Sequence, residues 1–321
     1  MASRQGGSFT FRERTERCIE IRFYEVTAMR REEFDRLAAH RVLLLDGATG
    51  SELRKAGMPV GVPTEVWALE HPDVIQALQR AYVAAGSDIV YAPTFMANRL
   101  GLEAHGMAGE LRKLNTGLVK LSKEAAAGRA LVAGDMTTTG KPLEPVGTLS
   151  YQALLDVYKE QAEVLAEAGA DLLVAETMLG IDETVCAVEA ALAVCDLPIM
   201  CSLTVEADGH LMFGGSVTEA VETLQAVGAS AVGLNCSVGP DQLEAVVASM
   251  KAVAQVPVIA KPNAGMPVMD AHGIAHYDMS PEAFASAMKR LVAAGATVVG
   301  GCCGTTPDYI RALKQAVAAL R

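Results

Sequence analysis

Short apolar runs rich in β-branched residues alternate with longer amphipathic stretches along most of this chain. The runs cover residues 42–46, 88–92, 130–134, 172–176, 198–205, 231–236, 256–261 and 297–302. They are continuously apolar instead of alternating, which predicts parallel strands buried on both faces. Between them, residues 72–85, 151–168, 183–194, 216–227, 242–254, 281–293 and 308–320 carry apolar positions at helical spacing. Eight strand–helix units in about 280 residues predict a (β/α)8 barrel forming a single domain over residues 32–321. A doubly wound open sheet is the competing arrangement.

A weak repeat supports the barrel. Ala85-Gly86-Ser87-Asp88, Ala168-Gly169-Ala170-Asp171, Val227-Gly228-Ala229-Ser230 and Ala294-Gly295-Ala296-Thr297 each stand between a predicted helix and the next strand. Glycine is expected there as a left-handed helix stop. Residues 1–31 differ: they are rich in Arg and interspersed with Glu, and read as a poorly ordered or loosely packed extension. They lack the apolar core of a signal peptide, and their acids argue against a transit sequence. Met29 offers an alternative start.

Composition narrows the class. With 51% hydrophobic and 20% charged residues, the chain has ample material for a globular core. A net charge of −11 disfavours nucleic acid and anionic membranes as partners. No apolar stretch approaches the length of a membrane span. Seven scattered cysteines make no disulfide framework and fit a reducing, cytoplasmic setting.

In a barrel, chemistry gathers at the carboxyl ends of the strands. Those positions hold Asp46 and Gly47, Thr94, Glu176 and Thr177, Asn235 and Cys236, Asn263, and Cys302 and Cys303. Cys302 and Cys303 lie between glycines that permit a tight bend. Three thiolates from two strand ends suit a zinc ion with its fourth position open. Core packing of the thiols, a three-cysteine iron–sulfur cluster and a phosphate loop built from Gly-Gly-x-x-Gly-Thr-Thr are the alternatives. For Asp46 and Glu176 the plain alternative is a helix cap or a Lys or Arg partner. Cys186, Cys195 and Cys201 read as core filling, and His272 and His276 as solvated loop residues.

Assembled, these positions resemble the homocysteine S-methyltransferase family from about residue 42 to 320. The similarity rests on Leu45-Asp46-Gly47-Ala48-Thr49-Gly50, Pro93-Thr94-Phe95, Ala175-Glu176-Thr177, Gly233-Leu234-Asn235-Cys236-Ser237, Lys261-Pro262-Asn263-Ala264-Gly265 and Gly300-Gly301-Cys302-Cys303-Gly304-Thr305-Thr306-Pro307. The resemblance implies Zn2+ bound by Cys236, Cys302 and Cys303, and methyl transfer to the homocysteine thiolate to give methionine. It also implies that Glu176 and the Asp46-Gly47 turn hold the substrate's ammonium and carboxylate, with Asn235 and Thr94 as polar supports and Ser202 at the mouth.

The segment Gly304-Thr305-Thr306-Pro307 is similar to the homocysteine-binding module of cobalamin-dependent methionine synthase, many S-methylmethionine users carrying Arg at the place of Gly304. A methyl-corrinoid protein is therefore the first expectation for the donor, with S-methylmethionine or S-adenosylmethionine next and betaine last. The rival from another class is a phosphate-binding lyase or isomerase with Lys261 as its base.

Overall fold

The computed structural model describes residues 29–270 and 275–318. The extension expected over residues 1–31 lies outside them as far as residue 28, and so does His272. Ten strands are present among the described residues: β1 Leu43–Leu44, β2 Ile89–Tyr91, β3 Leu131–Thr137, β4 Leu172–Met178, β5 Ile199–Leu203, β6 Ala231–Cys236, β7 Val258–Pro262, β8 Val268–Met269, β9 Ala275–His276 and β10 Ala296–Val299. Eight form one parallel sheet in the order β1-β10-β7-β6-β5-β4-β3-β2, with helices between successive strands. This is the expected (β/α)8 barrel. The antiparallel pair β8–β9 is an addition, set in the loop after β7.

The continuous apolar strands follow from burial on both sides. Leu43, Leu45, Ile89, Tyr91, Ala133, Leu172, Val174, Met200, Ala231, Ile259 and Val298 form the inner cluster, into which Phe34 and Ala38 of the helix Arg31–His40 also pack. Residues between them, such as Leu44, Val90 and Val132, face the surrounding helices. Ser150, Ser216 and Ser280 each start a helix by accepting the amide N–H three residues on. The repeated glycines behave as expected, Gly86, Gly169, Gly228 and Gly295 all having φ between +92° and +120°.

Two features depart from the sequence expectation. The helix Leu111–Ala126, absent from the predicted set, buries Leu111, Leu114, Leu118 and Val119 on one face. Strand β3 extends past residue 134 to Thr137, which brings Asp135 to the inner side.

The seam between β1 and β2 is closed by a side chain. Asp88 N–H donates to the Leu44 carbonyl at 2.7 Å, and Leu44 N–H donates back to Asp88 Oδ2 at 2.9 Å. Arg41 donates to the same carboxylate oxygen at 2.7 Å. A carboxylate thus replaces the missing rungs of the ladder. Asp88→Ala is expected to lower unfolding free energy by about 1–3 kcal/mol, because it leaves a strand amide unpartnered. Asp88→Asn keeps an acceptor and should cost less; urea denaturation of both variants checks the order.

Candidate metal centre and substrate cavity

Three cysteines reach one point because three neighbouring strands end together. Cys236 closes β6, in register with Pro262 of β7, and Cys302 N–H donates to the Pro262 carbonyl at 2.8 Å. The Sγ atoms of Cys236, Cys302 and Cys303 lie within 4.8 Å of one another, with Cys236 and Cys303 at 4.0 Å. Tetrahedral zinc thiolates set sulfurs about 3.8 Å apart, so the donor set fits a soft metal ion at this spacing. Cys186 and Cys201 are buried in the core and Cys195 is half-buried at a helix end, as expected.

The backbone that aims Cys236 is strained. Cys236 and Ser237 have φ of +56° and +61°, and the β-branched Thr177 has +57°. Side chains hold these conformations. Asn235 Nδ2 donates to Thr177 Oγ1 at 2.7 Å while Thr177 N–H donates to Asn235 Oδ1 at 2.9 Å. The same Asn235 amide lies 3.8 Å from Cys302 Sγ. Ser237 Oγ donates to the Asn235 carbonyl and accepts Val205 N–H, and Asn263 Nδ2 donates to the Ser237 carbonyl.

Among the thiols, Cys303 is pushed down to about 3 by hydrogen bonds from Cys236 and Cys302, with a further one from Tyr277. Cys236 is correspondingly pushed far up by its bonds to Cys302 and Cys303. Tyr277 escaped sequence reading because the stretch around it reads as an exposed loop. His276 pairs with Asp270 at 2.8 Å on the surface, away from any metal role.

The sulfurs line a cavity of about 510 Å3. Its polar wall holds Asp46, Gly47, Asp135, Glu176, Thr177 and Lys261, and its outer part Glu65, Phe95, Met96 and His105. At Gly47 a Cβ would meet the Tyr82 hydroxyl at 2.7 Å and Thr305 Oγ1 at 2.8 Å, so only glycine fits that turn. Asn235, Thr94 and Ser202 are wholly buried behind the wall. The Thr94 hydroxyl is committed to β3, donating to the Asp135 carbonyl and accepting Asp135 N–H. The Ser202 hydroxyl has no hydrogen-bond partner among the described residues.

Lys261, weighed from the sequence as the base of a lyase or isomerase, is a buried partner of both acids. It is 3% exposed, with its ammonium 3.1 Å from Glu176 Oε1, 3.7 Å from Asp46 Oδ1 and over the Tyr91 ring at 4.9 Å. The plain alternative for the two acids, a lysine partner, is therefore present. Burial opposes the Lys261 charge, but Glu176 and Asp46 hold it ionised well above the usual lysine range. Asp46 is raised by burial, against the pull of Lys261 and the Tyr91 N–H, to about 7. Glu176 and Asp135 are also raised, burial being the chief cause.

The phosphate-loop alternative loses its donors. Gly300, Gly301 and Cys302 N–H groups are spent on the carbonyls of Ala260, Asp46 and Pro262, and Thr305 N–H on that of Cys302. The Thr305 hydroxyl donates to the Cys302 carbonyl at 2.7 Å. These four amides bind the barrel and the thiol bend instead of facing a ligand.

A metal-competent thiol cluster beside a buried ionic wall thus stands at the carboxyl end of a parallel barrel. The chain belongs to the homocysteine S-methyltransferase family, whose model matches residues 43–317. It is 31% identical over 315 residues to the methionine synthase of Mycobacterium leprae, covering 91% of this chain but 26% of that protein. The chain thus spans about a quarter of such relatives. Among solved structures it is similar to the homocysteine methyltransferase MmuM from Escherichia coli. The oxidised form gives a TM-score of 0.75 at 25% identity, covering 88% of this chain and 98% of that one. The metallated form gives 0.73 at 25% identity, covering 87% and 98%. Among the described residues no helix is long and apolar enough to cross a membrane.

The Asp46 carboxyl makes stability depend on pH. With its pKa raised from 3.8 to about 7, the folded chain holds a proton that the unfolded chain releases. That contribution is complete below the unfolded value and is lost as pH rises through about 7. Asp46→Asn keeps an acceptor for the Tyr91 N–H and should flatten the fall, measured as urea midpoints between pH 5 and 8.

Proposed function

We propose that this chain methylates the thiol of homocysteine to give methionine, using zinc held by Cys236, Cys302 and Cys303 and a small sulfonium compound as methyl donor. The observation that carries this reading is the meeting of three sulfurs on one wall of a cavity whose neighbouring wall is ionic. A thiol amino acid has the two ends such a cavity recognises. Its sulfur faces the cysteines, and its charged head faces Asp46, Gly47, Glu176 and Lys261.

When bound, zinc favours the deprotonated form of a thiol, which supplies the nucleophile at neutral pH. The chain's own groups do the rest. Asn235 fixes the Thr177 bend and lies against Cys302, while Tyr277 hydrogen-bonds Cys303. Phe95, Met96 and Val62 supply apolar surface at the outer part and limit competing water. In the transfer, the substrate thiolate forms the new sulfur–methyl bond. The donor's methyl–sulfonium bond breaks, its electrons leaving with the neutral sulfide.

Two features favour a sulfonium donor. The homocysteine methyltransferase MmuM from Escherichia coli is matched over 98% of its chain, against 26% of the methionine synthase of Mycobacterium leprae. The cavity lining also includes an aromatic ring, Phe95, and a carboxylate, Glu65, groups of the kind that attract a soft cation. A methyl-corrinoid protein is the second reading, supported by the identity to methionine synthase and by Gly304.

A donor panel with homocysteine decides between them. Methionine should form with S-methylmethionine or S-adenosylmethionine and more slowly with methylcobalamin; the reverse order favours the corrinoid reading, and no methionine from any donor overturns the proposal. Cys303→Ala is expected to lower bound zinc from about one per chain to a small fraction, with activity falling by at least about a hundredfold. Metal analysis and methionine formation on one preparation check both.

A further inference from the structure

The ionic wall holds three carboxylates against one ammonium, and the surplus is localised. Asp46 accepts the Tyr91 N–H at 2.7 Å, and Asp46 and Glu176 share Lys261. Lys261 therefore stands where those two acids would otherwise receive a substrate's amino group. Asp135 has no such arrangement. It is 5% exposed and lines the cavity, and its Oδ1 has no hydrogen-bond partner among the described residues. Its strand position is inward, two residues beyond the inner-cluster Ala133. Burial raises its pKa, the Glu176 carboxylate adds to that, and the pull of Lys261 offsets only part of it. A buried acid of this kind is costly unless a partner arrives.

From this we infer that Asp135 receives the α-ammonium of the thiol substrate and so selects amino-acid thiols over deaminated ones. The inference rests on the homocysteine reading above and deepens it. Two cations, Lys261 and the substrate ammonium, then face three carboxylates. Lys261 stays a fixed internal ion that keeps Glu176 and Asp46 in place, with N–H groups left to meet the substrate carboxylate.

The test compares homocysteine with 4-mercaptobutanoate, the same thiol acid without its amino group, by calorimetric binding to the zinc-loaded full chain. Wild type should prefer homocysteine by roughly thirtyfold or more, as expected for a buried charge pair. In Asp135→Asn that preference should vanish, homocysteine falling to the level of 4-mercaptobutanoate while the latter changes little. A preference that survives in Asp135→Asn overturns the assignment and leaves the homocysteine reading standing. If Asp135→Asn loses both ligands alike, Asp135→Ser is measured, and equal loss there also overturns it. Wild-type protein that binds no homocysteine overturns both readings together.

Discussion

The centre depends on the backbone of Pro262. This residue ends β7 between the two strands that carry the cysteines, paired with Cys236 on one side and accepting Cys302 N–H on the other. A parallel ladder has a fixed register, so this one position sets how far each sulfur projects beyond the sheet. Gly300 and Gly301 let the segment before the cysteines pack against Leu45 and Thr305, where a Cβ would clash, and Cys236 itself takes a left-handed turn. Thr305 and Tyr82 tie the cysteine bend to the Gly47 turn, joining the outermost parts of the same rim. The cluster is thus held by rigid sheet on one side and by a hydrogen-bonded collar on the other.

Beside the thiols, the protein buries Lys261 with Asp46 and Glu176, and the opposite charges offset part of each other's desolvation. Lys261 stays charged because two acids flank it, and its charge offsets part of the burial that raises Asp46 and Glu176. Replacing one member would leave the others buried without compensation, which costs more than the intact group is worth. Such a wall is poorly suited to general stability and well suited to recognition, since its polar atoms are already oriented and largely dehydrated.

The outer part of the cavity has a separate origin. Between β1 and the helix Pro72–Ala85, two short helices, Gly50–Lys55 and Thr64–Glu70, are inserted. They carry Glu65 and the segment Val62–Pro63 over the barrel end, where Glu65 accepts the Met96 N–H and fixes the loop after β2. Phe95 and Met96 follow from that contact. Apolar surface therefore covers the approach to charged groups below, and entering ligands exchange water for side chains before they meet the ions.

Local sequence determined the elements and the chemistry on offer. Continuous apolar strands, glycine stops such as Gly228 and cysteines at strand ends depend on neighbours within a few residues, and all were legible. The helix Leu111–Ala126 was missed although its apolar spacing was present, and β3 was ended too early at Gly134, which hid Asp135. Tertiary structure alone decided what met what. That Lys261 lies between Asp46 and Glu176, that Asp88 closes the seam and that Tyr277 reaches Cys303 are consequences of strand order and register. Such facts bring together residues tens to hundreds apart, and no local spacing records them, because side-chain direction at a strand end is set by the neighbouring strands.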